Sequence, residues 1–152
     1  MENKTNYKAL ISDKSYPVPI EMRPLWRICL IIMSIAVVSG EKKYLDSKKV
    51  NILVWMLIRK RRWEEYENYL LGRTNDIPLV SVDTATYKAV EFSIAKGFVL
   101  LKDGRVHLTD NGQVLQEILV NNEIMQDEMN FLHEVGKKLT DNKIKGLTGG
   151  LL

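Results

Sequence analysis

Few residues in this chain could perform chemistry, and they are scattered. The two histidines, His107 and His133, have no cysteine or carboxylate at ligand spacing. Zinc needs about four convergent ligands, so no metal site is expected. Cys29 lies in an apolar run with no base beside it, where a thiol packs as a small inert hydrophobe. Gly146, Gly149 and Gly150 lack the Lys-Ser/Thr pair that a phosphate loop requires. Glu64, Glu65 and Glu67 fall on a short amphipathic helix and read as a solvated face. No cofactor is implied, and the chain is read as no enzyme.

Cations are the remaining chemical groups. Arg59, Lys60, Arg61 and Arg62 follow one another at the end of an apolar segment. Four adjacent cations point around a helix, not along one groove. They serve equally well as phosphate contacts or as a complement to the helix dipole. Lys102 and Arg105 flank a turn and could touch a nucleic-acid backbone.

Composition bounds the class. With 152 residues, 45% hydrophobic and 27% charged, the chain is large enough for one domain with a core. A net charge of +3 is too mild to argue for nucleic acid. One cysteine cannot form an internal disulfide, which favours a reducing, cytoplasmic setting. The N-terminus shows no signal-peptide pattern. The longest apolar stretch, residues 25–38, contains Arg27 and Ser34 and falls short of the ~20 residues of a membrane span. No membrane partner is expected.

The elements are then read in order. Residues 1–22, interrupted by Pro17 and Pro19, form an extended arm, either a disordered tail or a segment lying on a partner. A helix begins at Pro24 and ends near Gly40, apolar on nearly every side. Such a helix is either central to the fold or covered by another chain. Asp46 or Ser47 caps a second helix, and residues 63–71 form a third. Residues 77–82 read as a short edge strand. Asp83 or Thr84 caps a helix over 85–96, with Ala85, Ala89, Val90, Phe92 and Ile94, plus Tyr87, as its apolar positions. Asp103-Gly104 between two apolar runs marks a hairpin. Thr109 caps a further helix, residues 123–139 form one more, and residues 140–152 form a flexible tail.

Helix, Gly97, strand, Asp-Gly turn, strand, Leu108-Thr109-x-x-Gly112, helix is the closing pattern of a winged helix-turn-helix. The fold class is therefore mostly α (α+β), a winged helix-turn-helix over 23–139 with a wing at 98–109 and extra N-terminal and C-terminal helices. The helix over 85–96 supplies Lys88, Lys96 and Glu91 but no Arg, Asn or Gln to read base edges. Trp26, Ile31, Ile35, Trp55 and Trp63 are candidate anchors for a partner protein.

The stretch over 78–99 resembles the middle components of bacterial three-component ABC-ATPase systems, Lamassu-type anti-phage operons among them. The chain shares their x-Asp-x-x-x-x-x-Ala helix before the wing, here Asp83 to Ala89, and their Leu-Thr-x-x-Gly turn, here Leu108 to Gly112. The acidic C-terminal helix with Asp127, Glu128 and Leu132 follows. Chain size and a buried N-terminal helical part also agree, over residues 24–140. The resemblance implies an adaptor on an SMC-like coiled-coil ATPase, which helps hold an effector, often a nuclease, until foreign DNA is sensed. DNA would then be contacted within the complex. The second reading is a winged-helix DNA-binding transcription regulator.

Overall fold

The computed structural model describes residues 23–149. The expected arm over 1–22 and the last three residues of the tail lie outside them. The described chain is mostly helical, with one small antiparallel sheet.

Helix α1 (Pro24–Ser39) starts on its proline and ends at Gly40, whose φ of 62° only glycine adopts readily. A 3-10 turn leads into β1 (Tyr44–Asp46). Asp46 then caps α2 (Ser47–Ile58) by accepting the Lys48 N–H at 2.8 Å. Helix α3 (Trp63–Leu70) follows. After an extended connection, α4 (Thr84–Ala95) begins at Asp83, which accepts the Thr86 N–H at 2.7 Å. Strands β2 (Val99–Lys102) and β3 (Arg105–Leu108) make a hairpin across Asp103-Gly104. Both turn residues have positive φ, the requirement of a two-residue turn matched to strand twist. Thr109 caps α5 (Asp110–Asn121) through the Gly112 N–H and donates its hydroxyl to the Gly97 carbonyl. Helices α6 (Gln126–Val135) and α7 (Asp141–Thr148) complete the chain.

Strand order in the sheet is β1-β3-β2, all antiparallel. Leu45, Val106 and Val99 point inward and are buried. Helix α1 is the centre of the fold, packed against α2, α4, α5 and α6. Its neighbours belong to the same chain and bury its apolar surface over residues 27–35. The continuous helical stretch Pro24–Lys42 is 19 residues, long and apolar enough to cross a membrane. This is longer than the sequence indicated. Its residues 27–35 are nevertheless buried among the surrounding helices, the environment of a core helix.

Several expectations are corrected. Residues 77–82 form no strand. Pro78 and Val80 are buried while Leu79 and Ser81 are exposed, so the alternation is real. It arises from packing on the surface; no ladder forms, and Pro78 has no N–H to offer one. The helix expected over 123–139 is shorter at both ends. Glu123 and Met125 adopt positive φ before it, and a 3-10 turn (Gly136–Lys138) follows it. The tail expected from residue 140 contains α7. Thr140 caps it, Ile144 and Leu147 are buried, and the Lys143 ammonium donates to the Tyr69 carbonyl at 3.0 Å.

Candidate interaction surfaces

The basic run is not a helix face. Arg59 leaves α2, and residues 60–62 form a 3-10 turn. The Arg59 guanidinium sits 3.3 Å from the Trp55 ring centroid and donates to the Trp55 carbonyl at 2.9 Å. Burial lowers its pKa, opposed by the nearby Tyr66 and Asp83. Lys60 lies 3.3 Å from the buried Glu128 carboxylate and 3.7 Å from Asp127. Arg62 pairs with Glu65 at 3.1 Å. Three of the four cations thus face carboxylates or an aromatic ring of their own chain, while Lys60, Arg61 and Arg62 remain exposed.

The apolar anchor candidates divide in the same way. Ile31 and Ile35 have 0% exposure and belong to the core, so they offer nothing to a partner. Trp63 stacks on Phe131 with centroids 4.7 Å apart, and its indole N–H reaches the Met56 carbonyl. Trp55 is covered by Arg59, its ring nitrogen buried without a hydrogen-bond partner. Trp26 is half-buried and forms the wall of a shallow cleft with Lys60, Met125 and Glu128. Beside it in sequence, Leu25 is exposed.

Helix α4 departs from expectation in an informative way. It buries Thr86, Ala89, Val90 and Ser93. Of its other apolar positions, Tyr87, Phe92 and Ile94 are 48%, 51% and 37% exposed. Leu79, on the connection before the helix, is 75% exposed. The signal was present in the spacing. Apolar residues at 85, 87, 89, 90, 92 and 94 surround a helix, and a helix at the edge of a fold can bury only one side.

Arg27 positions α4. Its side chain is only 7% exposed, and it holds Asp83 at 3.2 Å and the Thr86 hydroxyl at 3.0 Å. The central helix thereby grips the N-cap of α4. Burial alone would raise the Asp83 carboxyl. Hydrogen bonds from Thr86 and the Arg27 guanidinium outweigh it and leave Asp83 below its ordinary carboxylate value.

The hairpin is short and is tied back: the Gly104 carbonyl accepts the Ser47 N–H at 2.9 Å. Lys102 and Arg105 face each other across the ladder, both exposed. Arg105 also lies over the Tyr44 ring, 5.0 Å from its centroid. His107 packs on the same tyrosine, ring centroids 5.0 Å apart. His133 is exposed on α6. Cys29 is buried, which pushes its thiol up to about 11 and keeps it protonated. Among the described residues no three His, Cys, Asp or Glu side chains gather where a metal could bind.

Comparison with protein-family models, with curated proteins and with solved structures gives no match for this chain.

Proposed function

We propose that this chain is a non-catalytic, cytoplasmic adaptor subunit that works by holding other proteins. The carrying observation is the exposed face of α4. Order and pairing of the elements (helix, strand, helices, hairpin, with β1 beside β3) support a winged helix-turn-helix with added helices. In that reading α4 occupies the position from which such folds read DNA. Its surface presents Tyr87, Phe92 and Ile94 instead of Arg, Asn or Gln. Large apolar and aromatic side chains on a surface serve protein interfaces. The resemblance over residues 24–140 supplies the class of partner: an SMC-like coiled-coil ATPase on one side and an effector, such as a nuclease, on the other.

Co-expression with an SMC-like coiled-coil ATPase from the same genome, followed by affinity purification, tests this. A stoichiometric complex is expected. Phe92→Glu and Tyr87→Glu should abolish it while circular dichroism and melting temperature stay unchanged. A chain that purifies alone in the presence of that ATPase and tightly shifts one promoter sequence would instead establish the transcription-regulator reading.

A further inference from the structure

The face of the sheet turned away from the core is uncovered, and its side chains form a pattern. Alternation along each strand sends Tyr44, His107, Leu100, Arg105 and Lys102 outward. The register places them in two rows. One row runs Tyr44, His107, Leu100 across the three strands; the next runs Asp46, Arg105, Lys102. The rows are about 7 Å apart, two residues along a strand. The first is a stacking surface. Tyr44 and His107 are half-buried with their rings in contact, and Leu100 beside them is 58% exposed. The second row is cationic. Its one carboxylate, Asp46, is turned to the N–H of Lys48 as a helix cap.

Charge around the two rows is mainly positive, with Asp46 and the turn residue Asp103 as the carboxylates. Lys43 precedes Tyr44 and Lys48 follows Asp46, both exposed. Among the described residues no ion pair engages Lys43, Lys48, Lys102 or Arg105. In the basic run at 59–62, by contrast, Lys60 and Arg62 face carboxylates of their own chain. Lys43, Lys48, Lys102 and Arg105 are exposed and, like several other surface cations, are open to an outside anion.

We propose that this sheet face binds single-stranded nucleic acid, with unstacked bases on Tyr44, His107 and Leu100 and the backbone phosphates on Arg105 and Lys102. Flat π and apolar surface flanked by exposed cations outside any ion pair matches that ligand; Arg105, which lies over the Tyr44 ring, turns to the phosphate when a base takes its place. A duplex hides its base faces inside the stack and could use only the cations. The inference does not rest on the adaptor reading, because it uses a different face from Tyr87 and Phe92.

Fluorescence anisotropy of the full chain tests it, with a labelled oligothymidine of about 15 nucleotides and a duplex of equal length. Binding of the single strand at least about tenfold tighter than the duplex is expected. Tyr44→Ala and His107→Ala should each weaken it about tenfold. Arg105→Gln and Lys102→Gln are surface changes that preserve the fold. Each should lower the slope of log affinity against log salt by about 0.7. Lys145→Gln on α7 and Phe92→Glu should leave binding unchanged. Absence of single-strand binding at low salt overturns the proposal. So does equal affinity for the duplex, equal competition by polyglutamate, or indifference to the Arg105 and Lys102 substitutions.

Discussion

Helices α1 and α4 are both apolar around most of their circumference, yet their surfaces end in opposite environments. Residues 28–33 of α1 are all buried, enclosed by α2, α4, α5 and α6. Helix α4 buries one side and leaves Tyr87, Phe92 and Ile94 in solvent. Excess greasiness in a sequence therefore has two meanings here. In α1 it builds the core; in α4 it makes a surface that no part of the described chain covers. The distinction matters because the candidate partner anchors Ile31 and Ile35 belong to the first kind.

Substitutions should separate the two helices sharply. Ile31→Ala removes a side chain with 0% exposure and should cost about 4 kcal/mol by urea denaturation. A loss below about 1 kcal/mol would mean that α1 is not the centre of the fold. Arg27→Met leaves Asp83 partly buried without its guanidinium and should cost about 3 kcal/mol, toward the lower end for a broken buried pair because Asp83 keeps some solvent.

The same pair makes stability depend on pH. Asp83 titrates lower in the folded chain than in the unfolded one. Its contribution is therefore complete above the unfolded value of about 4 and is lost as pH falls through the folded value. Asp83→Asn should lose less stability than the wild type between neutral pH and about pH 3, measured by denaturant titration at each pH. Parallel pH curves for the two proteins would remove Asp83 from the account. The smallest effect belongs to the exposed face. Phe92→Ser should change stability by less than about 0.5 kcal/mol. A larger cost would show Phe92 to be a core residue and erase the contrast with α1.

Cations repeat the lesson. Arg59, Lys60, Arg61 and Arg62 are adjacent in sequence, and adjacency made them look like one site. Three of them find partners in their own chain: Arg59 lies over Trp55 one turn before it, Lys60 reaches the buried Glu128 on a distant helix, and Arg62 pairs on the surface with Glu65 three residues later. Lys102 and Arg105 look weaker in the sequence and end in the open, beside a tyrosine and a histidine from two different strands.

Local signals in the sequence were sufficient for four of the helix starts and for the hairpin. Pro24, Asp46, Asp83 and Thr109 act within one turn of themselves, and Asp103-Gly104 carries its own backbone requirement. Strand β1 was not legible: three residues show no period, and Tyr44–Asp46 becomes a strand only because β3 arrives beside it. Helix α7 was obscured by glycines, although Thr140, Ile144 and Leu147 held its cap and its buried face. Propensity and capping are short-range, so the sequence alone determined where elements begin and turn. Which apolar side is covered, and which charge meets which, depends on residues far apart in the chain. Those outcomes were decided only when α1 was enclosed and the sheet was left with one face open.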